Sequence, residues 1–134
     1  PSFTTPSGKA HFQTHRLPGL KMSAAFPFAL MSVRSEGQFN SIIYEEADSY
    51  RGTPKRWSVL MSPQDMLELG IKPQQAVTLR SRNGCMEGVE VYPYGLTRGA
   101  VMAYYPEANV LTGIERDPRS HTPAFKSVAV AVEV

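Results

Sequence analysis

The sequence predicts a mainly β fold, a small barrel or sandwich with one or two short helices. Three observations predict it. Apolar runs of strand length recur at 26–33, 42–44, 57–61, 76–80, 86–92, 100–105 and 128–134. Ten glycines and eleven prolines supply the turns between them. Only one segment carries both a start and a stop signal for a helix. At 134 residues the chain has the size of a single domain, 1–134, large enough to bury one core but not two. No linker or internal repeat stands out.

Taken in order, Pro1 to Gly8 is turn-rich and reads as an entry arm. Lys9 to Thr14 alternates, Ala10 and Phe12 against His11 and Gln13, as a half-buried strand does. Leu17-Pro18-Gly19 and Pro27 break the chain around the start of the next run, Phe26 to Val33. Apolar character stops at Arg34 and resumes at Ile42-Ile43-Tyr44. Glu45 to Thr53 is polar, and Trp57 to Met61 is a strand with an aromatic anchor. Ser62 is an N-cap, Pro63 takes the first helical position and Asp65 the third. Met66, Leu67 and Leu69 supply the apolar side of that helix, which Gly70 ends after about two turns. Ala76–Arg80 and Met86–Tyr92 flank Asn83-Gly84, the strongest short-range hairpin signal. Thr97-Arg98-Gly99 turns into Ala100–Tyr105. Val128, Val130, Val132 and Val134 close the chain with a period of two.

Three polar clusters interrupt this pattern, and they read together as one binding surface. The first follows a strand: Arg34-Ser35-Glu36-Gly37-Gln38-Phe39-Asn40-Ser41. Its guanidinium is a planar fork of donors suited to phosphate or carboxylate. Gln38 and Asn40 each offer a donor and an acceptor, the equipment for reading a heterocycle edge. Gly37 lets the backbone turn or approach a ligand. The second cluster, Tyr104-Tyr105-Pro106-Glu107-Ala108-Asn109, also follows a strand-like run. The third spans Asp117 to Lys126. Tyr50-Arg51-Gly52 fits either a frame for a phosphate or pterin ring or a plain turn with a surface arginine.

"RSEGQFN", "YYPEAN" and "DPRSHTPAFK", in that order, resemble the C-terminal domain of molybdopterin oxidoreductase alpha subunits. The likeness is strongest to the formate-dehydrogenase-like branch of the DMSO reductase superfamily, and it runs from "TPSGKAHF" to "FKSVAVAVEV". It implies a six-stranded double-psi β-barrel of the aspartate-decarboxylase-like type. It also implies binding of bis(molybdopterin guanine dinucleotide) carrying molybdenum or tungsten. The family's cofactor-contacting positions fall on the Arg34–Asn40 loop, around Asn109 and near Lys126. A pterin dinucleotide needs cationic forks for its diphosphate, carboxamides for its heterocycle edges and flat faces for its rings. Arg34, Arg51 and Lys126 suit the first role, Gln38, Asn40 and Asn109 the second, and Phe39, Tyr105 and Phe125 the third. Related enzymes often have a histidine where this chain has Asn40, which leaves the pterin contact there open. Tyr104, Glu107, Arg119 and His121 fit structural roles equally well.

In that family the molybdenum-ligating side chain, and any iron–sulfur cluster, come from other domains. The fragment is therefore expected to contribute no catalytic residue, and its partners are the remaining domains of a parent oxidoreductase. Starting at Pro1, without an initiator methionine, the chain reads as a piece of something longer. The single Cys85 excludes an internal disulfide or a Cys-ligated cluster, and His11 and His15 lack partners for a metal site. No apolar run approaches the roughly 20 residues of a membrane helix, and no signal-peptide pattern is present; a cytoplasmic setting is expected. The net charge of +2 and scattered basic residues argue against nucleic acid. Self-processing pyruvoyl decarboxylases share the barrel type, yet the sequence has no Gly-Ser dipeptide to process. A Cys85–His121 hydrolase lacks a nucleophile motif. The alternative that stays open is a cofactor-free interaction module, which requires the three polar clusters to lie apart.

Overall fold

A computed structural model describes residues 2–16, 19, 22–40 and 42–134. Its strands are β1 (Phe28–Val33), β2 (Gln38–Phe39), β3 (Ile42–Ile43), β4 (Ser58–Met61), β5 (Ala76–Arg80), β6 (Cys85–Pro93), β7 (Ala100–Tyr104) and β8 (Val128–Glu133). Helix α1 (Pro63–Leu69) follows β4, and a 3-10 turn (Glu107–Leu111) follows β7. Six strands close into a barrel in the order β1-β7-β4-β6-β5-β8, while β2 and β3 form a separate small hairpin.

The barrel carries an internal symmetry. β1 runs parallel to β7 and β4 parallel to β6; the other four neighbouring pairs are antiparallel. Exchanging β1 with β6, β4 with β7 and β5 with β8 reproduces every neighbour and every direction. Two interlocked three-strand units therefore build the barrel, the double-psi arrangement, although no sequence repeat announces it. Closure also leaves no open edge among the six strands.

Strand alternation sorts side chains into two apolar layers. Leu30, Val59, Met61, Leu79, Val91, Val101 and Val130 point into the barrel, where Met66 of α1 and Leu111 of the 3-10 turn join them. The opposite faces of β1, β4 and β7 are also covered, by a second cluster of Val33, Leu60, Met102 and Tyr104 with Tyr92, Tyr94 and Leu96 against it. All four residues of β4 are consequently buried. Between Val77↔Val89 and Leu79↔Met86, β5 advances two residues while β6 advances three. The extra residue makes a bulge, with Gly88 at φ 65°.

Several expectations need correction. Residues 9–14 form no strand, and Phe12 is fully exposed; among the described residues no strand pairs with them. Helix α1 has its Ser62 cap, accepting from the Asp65 N–H, and its Gly70 stop. Leu67, however, is 82% exposed, and Met66 is the residue that seats the helix. Trp57 lies half out of the surface, held by its indole N–H on the Glu87 carbonyl at 2.9 Å. The Arg34–Asn40 stretch contains strand β2, which pairs with β3. Pro1, the Leu17-Pro18 break and Ser41 lie outside the described residues.

Candidate functional site

The pairing directions decide where the polar clusters meet. Because β1 and β7 are parallel, with Val33 opposite Tyr104, Arg34 and Tyr105 leave the barrel side by side at the same end. β8 runs antiparallel to β1, with Leu30 opposite Val128, so Phe125 and Lys126, just before β8, arrive at that end too. The three clusters converge on one open groove of about 480 Å³. Ser32, Val33 and Arg34 form one wall, Tyr105, Asn109, Thr112 and Gly113 another, and Pro123, Phe125 and Lys126 the third.

The groove is electropositive. Arg34 and Lys126 line it, and among the described residues no carboxylate does. The Arg34 guanidinium lies 6.0 Å from the centre of the Tyr105 ring. Arg34 is exposed and forms no ion pair among the described residues. The Lys126 ammonium sits 5.3 Å from the Phe125 ring and donates to the Ser32 carbonyl. In return the Phe125 carbonyl accepts from the Ser32 N–H at 3.1 Å and the Ser32 hydroxyl at 3.0 Å. Asn109 leaves its carboxamide exposed, while its backbone N–H donates to the Pro106 carbonyl at 2.9 Å.

Two buried polar hubs hold the walls. In the first, Arg56 donates to both Glu107 carboxylate oxygens at 2.8 Å, and to Ser35 and the Tyr105 carbonyl. The second is centred on Asp48, which is fully buried. Its carboxylate accepts from Arg51 at 2.7 Å and the Tyr104 hydroxyl at 2.9 Å, and from the Glu36 and Tyr50 N–H groups. Arg51 also donates to the Arg34 carbonyl at 3.0 Å. Burial pushes the Asp48 carboxyl up, but the hydrogen bonds from Arg51 and Tyr104 and the Arg51 charge outweigh it and hold the group below the usual carboxylate value. Burial, reinforced by the Asp48 carboxylate, pushes the Tyr104 phenol up to about 12.

The Asn109 wall rests on the β5–β6 hairpin. Ser81 donates to the Leu111 carbonyl at 2.8 Å, which ties the end of the 3-10 turn to the hairpin loop. Gly84 lies so close that an added Cβ would stand 2.5 Å from the Val110 carbonyl oxygen.

Residues 28–129 match the family described as "Molydopterin dinucleotide binding domain". The chain belongs to this molybdopterin dinucleotide-binding family. Among similar proteins, Protein YdeP of Escherichia coli K12 is 34% identical over 96% of the chain. The uncharacterized oxidoreductase Rv2900c of Mycobacterium tuberculosis is 31% identical over 98%. The chain spans only 18% of the length of these relatives. Acetylene hydratase from Pelobacter acetylenicus shares the fold, with a TM-score of 0.62 over 81% of this chain and 18% of its own, at 12% identity.

Within this molybdopterin dinucleotide-binding domain, the residues singled out from sequence divide into three groups. Arg34, Tyr105, Asn109, Phe125 and Lys126 line the groove together. Gln38 and Arg51 stand behind it: the Gln38 carboxamide is buried between Arg56 and the Asn40 carbonyl, and Arg51 is engaged by Asp48 and the Arg34 carbonyl. Phe39 and Asn40 project from the β2–β3 hairpin into solvent, outside the groove lining. Phe39 meets Tyr44 edge-on at 6.4 Å. Tyr104 and Glu107 serve the hubs. Arg56 and Asp48 were missed by sequence reasoning. Arg56 lies just before β4, in a turn closed by the Ser58 N–H on its carbonyl at 2.7 Å, and no local pattern marks it as buried. Among the described residues no cluster of three or more His, Cys, Asp or Glu is placed to hold a metal, and no helix is long and apolar enough to cross a membrane.

Proposed function

We propose that this domain holds the nucleotide and pterin part of a bis(molybdopterin guanine dinucleotide) cofactor in a larger, formate-dehydrogenase-like oxidoreductase. The observation that carries this reading is the groove itself: two cations, a free carboxamide and two rings from three separated segments, with no carboxylate among them. That donor set fits a dinucleotide. A diphosphate is matched by the Arg34 fork and the Lys126 point charge. The Asn109 carboxamide can both donate to and accept from a heterocycle edge, and Tyr105 and Phe125 offer flat faces. When bound, the cofactor supplies the two-electron chemistry at its molybdenum or tungsten. This chain binds and orients it, with Arg34 and Lys126 neutralising phosphate charge and the hubs holding the walls at fixed separation. The substrate, formate in this reading, and any iron–sulfur cluster belong to other domains, in a cytoplasmic setting. Phe39, Ile42, Tyr44 and Tyr50 expose apolar surface on and beside the hairpin, which supports a contact with those domains.

The test is to purify the full-length protein, release nucleotide by acid hydrolysis, and quantify it with the metal. GMP in fixed proportion to molybdenum or tungsten is expected. CMP in its place would overturn the guanine assignment, and metal-free protein devoid of nucleotide would overturn the cofactor reading.

A further inference from the structure

Arg56 touches both sides of the groove yet lies outside its lining. It is 2% exposed, with its guanidinium 5.5 Å from the Tyr104 ring. On the side of the Arg34–Asn40 loop, Nη1 donates to the Ser35 hydroxyl and Nη2 stands 3.5 Å from the Gln38 carboxamide oxygen. On the Asn109 side, Nη2 donates to the Tyr105 carbonyl, and Nε and Nη2 each donate to a Glu107 oxygen at 2.8 Å. No other side chain among the described residues reaches both Ser35 and Glu107.

We propose that Arg56 is a positioning residue that couples the two walls, fixing Arg34 and Asn109 at the separation a bound dinucleotide requires. This rests on the cofactor reading above. The chemistry favours a registry role. A planar guanidinium holds its donors in a rigid fork, so acceptors on two segments are fixed relative to each other as well as to the arginine. Removing either Ser35 or Glu107 cuts the tie of one wall to the fork; losing the fork cuts both ties, leaving each wall with only its own remaining bonds. Lysine at this position keeps the charge but lacks the fork.

The test uses the full-length protein, with hydrogen exchange read at amides that report each wall. The Gln38 N–H donates to Ser35, and the Asn109 and Thr112 N–H groups donate within the 3-10 turn. Ser35→Ala is expected to speed exchange at Gln38 alone, and Glu107→Gln at Asn109 and Thr112 alone. Arg56→Lys is expected to speed both by about tenfold or more, leaving Leu60 and Met102 in the barrel unchanged, and to lower GMP per folded protein by about tenfold, one decade in affinity. Should Arg56→Lys fail to fold, the double variant Ser35→Ala/Glu107→Gln must reproduce the loosening of both walls. Unchanged exchange at either wall would overturn the coupling, as would acceleration throughout the barrel. Full GMP retention with both walls loosened would reduce Arg56 to a purely structural residue. Wild-type protein devoid of GMP would overturn the cofactor reading and the positioning role with it, while the exchange pattern would still decide whether Arg56 couples the walls.

Discussion

Arg34 leaves β1 with its carbonyl held by Arg51 and its guanidinium directed along the groove wall. Its side chain is exposed, so Arg34→Ala should shift the unfolding midpoint little, within the roughly ±0.5 kcal/mol typical of surface substitutions. Asp48 behaves oppositely. It gathers donors from Arg51, Tyr104 and two backbone N–H groups, so Asp48→Ala should destabilise the 134-residue chain by about 3 kcal/mol, the scale of breaking a buried charged pair. Its pH dependence follows from the depressed carboxyl. The stabilisation is fully present above the unfolded value of about 3.9 and is lost as pH falls through the lower folded value. Tyr104 acts at the other limit, contributing below the unfolded value of about 10 and losing that contribution as pH climbs through about 12. Thermal unfolding followed by circular dichroism from pH 2 to 7 should show Asp48→Asn flattening the acid limb. Arg34, Asn109 and Lys126 were legible because each belongs to a polar cluster beside a strand. Arg56 was not, because its carboxylate partner Glu107 stands 51 positions away; Asp48 pairs locally with Arg51, but the Tyr104 hydroxyl that it also meets is 56 positions away.

Helix α1 and the hairpin loop show which local signals survive tertiary packing. The cap, first-turn proline and terminal glycine of α1 all act as the sequence indicates, and Ser62→Ala should cost about 1 kcal/mol. The apolar stripe misleads: Leu67 faces solvent, so Leu67→Lys should change stability by no more than about 0.5 kcal/mol. Both values are measurable by urea unfolding of the chain. Lys9–Thr14 fails for a related reason, since alternation marks a strand only where a neighbour exists to pair with it. The Asn83-Gly84 signal succeeds, and structure adds its purpose. Gly84 admits the Val110 carbonyl where a Cβ would collide. Gly84→Ala should therefore displace the 3-10 turn and destabilise by about 1–3 kcal/mol, the range for overpacking. The displacement should appear as amide shifts at Asn109 and Thr112 with little change at Val59.

Across the whole molecule, the site exists because of strand direction. Parallel β1 and β7 and antiparallel β8 deliver three sequence-distant segments to one barrel end, which no local pattern encodes. The interlocked symmetry of the barrel showed in no residue pattern and entered only through the family resemblance, because equivalent strands need only share burial and direction, not residues. The order of the three polar motifs, by contrast, was visible, and the family that they resemble is the one to which the chain belongs. The most direct measurement is GMP retained per folded full-length protein in Arg34→Ala, Arg34→Lys and Arg80→Ala. Arg80 pairs with Glu133 on the surface, away from the groove lining, and serves as the control. Charge-assisted hydrogen bonds contribute roughly 1.5–3 kcal/mol each, so Arg34→Ala should retain about a tenth of wild-type GMP or less. Arg34→Lys should recover part of it through charge, and Arg80→Ala should match wild type. Wild-type GMP content in Arg34→Ala, together with a collapsed unfolding midpoint, would contradict the assignment and make Arg34 a structural residue.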